Sequence, residues 1–156
     1  MVKIRDLLSK NSILIDLQGS DKLALLTQMA DYMCSLYNLP DKQMVIQKIL
    51  KREAELSTGI GFGIAIPHAR VPQVDRIHMI AARSIQGIDF NAIDEQAVHL
   101  IFMMVSPANT SSEHTQILSS LSRIMSYEDM RKKLLTAANA DQFLDLIIKG
   151  EDKYVE

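Results

Sequence analysis

His68 lies near the end of the segment TGIGFGIAIPHAR at residues 58–70, where three glycines alternate with apolar residues and a short apolar run ends in Pro67. Glycine takes positive φ freely, and successive free N–H groups in such a turn form a concave anion site. Thr58, Gly59, Gly61 and Gly63 are therefore expected to make a phosphate loop. Pro67 fixes its own φ and biases Ile66 to an extended shape, which aims the His68 ring rather than leaving it free. A neutral imidazole, with an ordinary pKa of about 6.5, is a nucleophile at neutral pH.

His114 is the second candidate. Thr110 and Glu113 have capping-box spacing, so a helix should begin at Ser111. Its apolar stripe, Ile117, Leu118, Leu121, Ile124 and Met125, also takes in position 114. That places His114 on the inward face of the first turn, where the helix dipole and free N–H groups favour an anion. Arg52, at the end of the preceding helical pattern, is the best cation. At about 4 Å and an effective dielectric near 20, one charge pair contributes roughly 4 kcal/mol before desolvation. Two imidazoles, an arginine and a nest of N–H groups suit a phosphoryl group, with one ring attacking while the other and the arginine neutralise oxygens. The other two histidines are less promising: His78 should be exposed, and His99, inside the most apolar strand, should be a core histidine bonded to a neighbour. Two histidines with no carboxylate or cysteine partner make an incomplete metal site, so no metal is expected.

The elements that must hold these groups alternate between helical and strand periods, with no linker or repeat, as in one α/β domain. Ile4, Leu7 and Leu8 suggest a short helix, and SILIDL at 12–17 a strand. Apolar residues at 23, 25, 26, 29, 30, 33 and 36 follow the 3.6 period until Asn38-Leu39-Pro40. Asp41 can cap a second helix running to about Leu56. Strand signals recur at Ile64–Ile66, Ile77–Ser84 and Val98–Val105, the last buried on both faces. The turn-rich GIDFNAIDEQ between the last two predicts an antiparallel hairpin. Helices over 127–138 and 141–149 complete the count, giving one domain over residues 1–150, and the charged tail 151–156 should fray.

Composition excludes other classes. The chain has 156 residues, enough for one domain that buries about 68–70% of its unfolded surface. With 17 Lys+Arg against 19 Asp+Glu, scattered rather than clustered, and no Trp, nucleic acid is not an expected partner. A single cysteine, Cys34, cannot form an internal disulfide and fits a reducing cytoplasm as a small buried hydrophobe. The N-terminal MVKIRDLLSK lacks the apolar core of a signal peptide. The longest apolar run, Ala97–Val105, is far short of the roughly 20 residues of a membrane span, so no direct membrane insertion is expected.

Glu53, Ile60, Gly61, Ile64, Ala65, Ile66, Pro67, His68 and Ala69, in that spacing, resemble the histidine signature of the type-2 enzyme IIA proteins of the bacterial phosphoenolpyruvate phosphotransferase system, the fructose/mannitol/nitrogen-regulatory group. The likeness extends to Lys51-Arg52-Glu53, to GIDFNAIDEQAVHLIFMMVSP and to EHTQILSSLSRIM. It implies a three-layer α/β/α sandwich around a mixed sheet of about five strands. It further implies a phosphocarrier in which His68 accepts a phosphoryl group from the small carrier HPr, His114 assists and Arg52 stabilises charge, without a cofactor. The group would pass to a regulatory target or to an enzyme IIB. Mannitol-type members tend to carry an acid six positions before the accepting histidine, where this chain has Phe62. The nitrogen-regulatory branch also lacks it. That departure, and a chain carrying no membrane, B or HPr segment, favour a regulatory role, with a sugar-specific relay as the alternative.

Overall fold

The computed structural model describes residues 2–155. Strands β1 (Ile13–Leu14), β2 (Gly59–Gly61), β3 (Ile64–Ala65), β4 (His68–Arg70), β5 (His78–Ile88) and β6 (Val98–Ser106) form one sheet. Its order is β1-β5-β6-β3-β2, with β4 also pairing to β6. The sheet is mixed: β5–β6 and β2–β3 are antiparallel, while β1 runs parallel to β5, and β3 and β4 parallel to β6. The expected hairpin is therefore the β5–β6 pair, and the sheet expected to have about five strands has six, of which the three-residue β2 and β4 are too short to announce themselves by alternation.

Helices lie on both sides, and the period-2 alternation of the strands sorts the core between them. Ile80, Ala82, Ile101, Met103 and Val105 face α2 (Lys22–Tyr37) and α3 (Lys42–Glu55). Met79, Ala81, Leu100, Phe102 and Met104 face α1 (Ile4–Leu7), α4 (Ser111–Met125), α5 (Glu128–Thr136) and α6 (Ala140–Tyr154). This is the three-layer α/β/α arrangement. Fully burying one such side chain contributes about 1.5–3 kcal/mol, which is why the two apolar faces of β6 fix its register against both layers.

Local chemistry sets the helix ends. The Asp21 carboxylate accepts from the Ala24 N–H at 2.9 Å, and Asp41 accepts from Met44 N–H at 3.3 Å, capping α2 and α3. Asn38, at φ 53, closes α2 in the left-handed conformation. On α3 the buried residues Val45, Ile49 and Glu53 recur at one-turn intervals. This packing leaves the last-turn Arg52 beside the sheet's His68 end.

Three local expectations are corrected. SILIDL contributes only Ile13–Leu14 to the sheet, after a 3-10 turn at Lys10–Ser12. Thr110 precedes α4 but makes no capping bond: its hydroxyl donates to the Pro107 carbonyl at 3.0 Å. The charged segment expected to fray continues α6 to Tyr154, because Glu151, only 3% exposed, accepts from the Ile4 N–H at 2.6 Å and from Arg5 Nε at 2.8 Å. That carboxylate ties the chain's first helix to its last.

Candidate functional site

Strand β4 and helix α4 bring the two candidate histidines together. His68 opens β4, in register with Met104 of β6, and its ring lies half-buried. His114, in the first turn of α4, is 5% exposed. Their ring centroids are 5.2 Å apart, with planes inclined at 68°. Both line a cavity of about 350 Å³, walled otherwise by Lys48, Lys51, Arg52 and Glu55 of α3 and by Ala69 and Arg70 of β4. Four cations thus meet one carboxylate, and among the described residues none of the four is in a salt bridge. The cavity's field favours an anion.

The bonds of His68 determine which nitrogen can react. Its Nδ1 stands 2.8 Å from the Ile66 carbonyl oxygen. A carbonyl oxygen only accepts, so Nδ1 carries the hydrogen and Nε2 of the neutral ring keeps a free lone pair. Burial lowers the pKa of this ring below the usual histidine value; the Ile66 bond opposes that shift, and the nearby Arg52 and Arg70 charges reinforce it. The ring is therefore neutral at physiological pH, and a neutral imidazole with a free lone pair is capable of nucleophilic attack. His114 is pushed down to about 4, first by burial and then by Arg70 and His68. It too is neutral at pH 7, and its Nδ1 lies 2.7 Å from the Ser106 hydroxyl.

A buried charge pair sets the path of the chain into this site. Glu53, at the end of α3, accepts from Thr58 N–H at 2.9 Å and from the Thr58 hydroxyl at 2.5 Å, and pairs with Lys22 at 2.9 Å. Lys22 also donates to the Phe90 carbonyl at 2.9 Å and lies over the Phe90 ring. The Thr58 carbonyl then accepts from Ile66 N–H at 3.0 Å, two residues before His68. These bonds link α2, α3, the β5–β6 connection and the turn into β2.

The structure gathers His68, His114 and Arg52, but it does not bring the glycines to them. Thr58, Gly59, Gly61 and Gly63 are absent from the cavity wall. The N–H of Thr58 is bound by Glu53, that of Gly59 by the Ser57 hydroxyl, and that of Phe62 by Asp94. Gly63 sits against His99 and Leu100, four residues along β6 from His68's partner Met104, or about 13 Å at 3.3 Å per residue. The expected phosphate loop is instead the β2–β3 hairpin. Gly61 and Gly63, at φ +96 and +78, make its turn, and a Cβ on Gly59 would meet Ala92 Cβ at 2.7 Å. The same residue signature fits both readings, since hairpin turns and anion nests need glycine for the same conformational reason.

Arg70, Lys48 and Lys51 are charged residues of the cavity that the sequence reading passed over, and Arg70 stands nearest His68 in the chain. It lies two positions after His68, and period-2 alternation along β4 puts both on one face. Lys48 follows from Arg52 by the i, i+4 spacing of a helix, and Lys51 from Lys48 by i, i+3. Glu53 and Lys22, by contrast, are 31 positions apart, and no local pattern signals their pairing. His99 bonds the Ser84 carbonyl at 2.9 Å, the neighbour bond expected of it. His78, expected to be exposed, is half-buried against Tyr37 at 4.8 Å between centroids, and burial lowers its pKa.

Among the described residues, no three His, Cys, Asp or Glu side chains gather as a metal-holding group, and no helix is long and apolar enough to cross a membrane.

A fructose-specific EIIA component of Haloferax volcanii is 43% identical over 107 residues, 69% of this chain and 70% of that protein. A fructose-specific EIIABC component of Bacillus subtilis is 36% identical over 146 residues, 94% of this chain but 23% of the longer relative. The crystal structure of the nitrogen regulatory protein IIA-Ntr from Neisseria meningitidis superposes with a TM-score of 0.87 at 28% identity, covering 92% of this chain and 98% of that one. The family model for the phosphoenolpyruvate-dependent sugar phosphotransferase system EIIA 2 matches residues 6–150, and the chain belongs to that family.

Proposed function

We propose that this protein is a phosphohistidine carrier, with residues 1–150 acting as one unit in the cytoplasm and His68 as the acceptor. The observation that carries the reading is the His68 ring itself: neutral, tethered through Nδ1–H to Ile66 and presenting an Nε2 lone pair to a cavity whose four cations make no salt bridge among the described residues. In the reaction Nε2 forms a bond to phosphorus as the bond from phosphorus to the donor's imidazole nitrogen breaks. The donor ring, protonated on its other nitrogen while it carries the phosphoryl group, leaves as a neutral imidazole, and the His68 ring takes up the positive charge with its hydrogen kept on Nδ1 against the Ile66 carbonyl. Arg52 and Arg70 offset the charge on the three equatorial oxygens, and His114 donates a hydrogen bond to one of them. An HPr-type phosphocarrier is the fitting donor.

Two outlets follow from the same chemistry. The more identical relatives are named as fructose-specific components, which favours delivery to an enzyme IIB. A regulatory outlet is supported by Phe62, 65% exposed where an acid would mark a mannitol-type protein, and by the likeness to the nitrogen regulatory protein. Incubation with phosphoenolpyruvate, enzyme I and HPr should add one phosphoryl group, and His68→Ala should remove it. His114→Ala should still accept while onward transfer slows. Equal labelling of both histidines would contradict that division. Adding a fructose-type enzyme IIB to the loaded protein separates the outlets: discharge supports the relay, and retention supports regulation.

A further inference from the structure

The carrier reading leaves open how His114, a neutral ring with two possible tautomers, comes to present a donor to an anion. The other edge of that ring holds the answer. Ser106 ends β6 with no exposed surface, and its Oγ lies 2.7 Å from His114 Nδ1. A serine hydroxyl can donate or accept, so geometry alone leaves the direction free. Satisfaction decides it. Among the described residues this nitrogen is the one hydrogen-bond partner given to the Ser106 hydroxyl. If Nδ1 carried the hydrogen, the hydroxyl hydrogen would be buried with no acceptor, and an unmade buried bond is the costly outcome. The same tautomer would also turn the Nε2 lone pair toward a cavity whose cations recruit anions, so that it repelled the oxygens it faced. With Nδ1 as acceptor both difficulties vanish.

We infer that Ser106 is a positioning residue: its hydroxyl donates to Nδ1 of His114, locks the Nε2–H tautomer, and so fixes that ring as a hydrogen-bond donor to the phosphoryl oxygens. The sheet supports this arrangement. Ser106 is in register with Arg70, two residues from His68, and its carbonyl accepts from Val71 N–H at 2.8 Å. One backbone position thereby braces the assisting ring on one side and the strand of the accepting ring on the other. The two histidines come out as opposites: His68 holds its hydrogen on Nδ1 through a carbonyl and keeps Nε2 bare to attack, whereas His114 accepts at Nδ1 and keeps Nε2 protonated to donate.

The inference rests on the carrier reading for its purpose but is measurable without it. Long-range proton–nitrogen correlation spectra of the unphosphorylated, 15N-labelled full chain at pH 7.5 should show His114 with Nδ1 bare and Nε2 protonated, and His68 with the reverse. Ser106→Ala should spread His114 over both tautomers and slow phosphoryl transfer by about tenfold, the effect of one hydrogen bond. Ser106→Thr should restore both readouts; if the added methyl group disturbs the fold, Ser106→Cys, a weaker donor, should give intermediate values. A hydrogen on His114 Nδ1 in the wild-type protein would overturn the inference, as would a Ser106→Ala protein with unchanged tautomer and rate. Failure of His68 to take a phosphoryl group, with His114 still protonated at Nε2, would defeat the carrier reading and leave the lock standing.

Discussion

Lys22→Met tests whether a buried ion pair, remote from the chemistry, places the segment that leads to His68. The substitution removes the cation that stands 2.9 Å from Glu53, whose side chain is 2% exposed, and leaves that carboxylate with the two Thr58 donors alone. Breaking a buried pair by removing one partner costs about 3–5 kcal/mol. Retention of the Thr58 bonds, and the 19% exposure of Lys22, set the expected loss near the lower end, about 3 kcal/mol. In a domain of this size 1 kcal/mol shifts Tm by about 2–4 °C, so thermal unfolding should move down by about 6–12 °C. Adding Glu53→Gln removes the stranded charge while keeping an acceptor for Thr58 N–H, and should recover about half of the loss. Circular dichroism melts of the four proteins in the cycle supply the numbers, and phosphorylation by HPr at a temperature where all are folded reads the placement of His68. A Lys22→Met protein that melts with the wild type, or a double variant no more stable than the single, would refute the assignment of Glu53 and Lys22 as a coupled pair.

Stability should also depend on pH through His114. Its folded pKa of about 4 lies below the ordinary value of about 6.5, so the unfolded chain binds more protons between those values and stability rises with pH across that window. Through His114 alone, urea unfolding should show a penalty absent above pH 6.5 and growing to as much as about 3 kcal/mol at pH 4, and His114→Gln should reduce the slope while leaving the part that His68 and His78, also lowered by burial, contribute. Arg70→Gln should raise the pKa of both His68 and His114 in NMR titrations, since Arg70 lowers both, and should slow acceptance by about tenfold through loss of one charge-assisted contact. Gly63→Ala, at φ +78, should lower stability by about 1–2 kcal/mol in a denaturant melt but leave the phosphorylation rate of the folded protein within about twofold, because the hairpin lies away from the cavity.

What the sequence disclosed and what it hid follow from the range of the interactions involved. The meeting of His68, Arg52 and His114 at one cavity was legible because each lies on a local pattern: a proline-locked strand, the last turn of α3, and the apolar stripe of α4. The fold was legible for the same reason, since β5, β6 and the long helices carry enough residues to show their period. The glycine segment was misassigned because it makes the same local demand in a hairpin as in a nest, and only the partners of its N–H groups distinguish the two: Glu53, Ser57 and Asp94. Arg70 escaped because β4 is three residues long, too short for alternation to be seen. Glu151 and the Glu53–Lys22 pair escaped because charged residues read as solvated until a distant backbone N–H or cation is found beside them.

The most direct measurement locates the phosphoryl group by atom. After brief incubation with phosphoenolpyruvate, enzyme I and HPr, tandem mass spectrometry under conditions that preserve acid-labile phosphohistidine should find one modified residue, His68. Nitrogen-15 spectra of the same sample should place phosphorus on Nε2, with Nδ1 still protonated against the Ile66 carbonyl. An unmodified chain in the presence of an active donor relay, or phosphorus on Nδ1, would contradict the account.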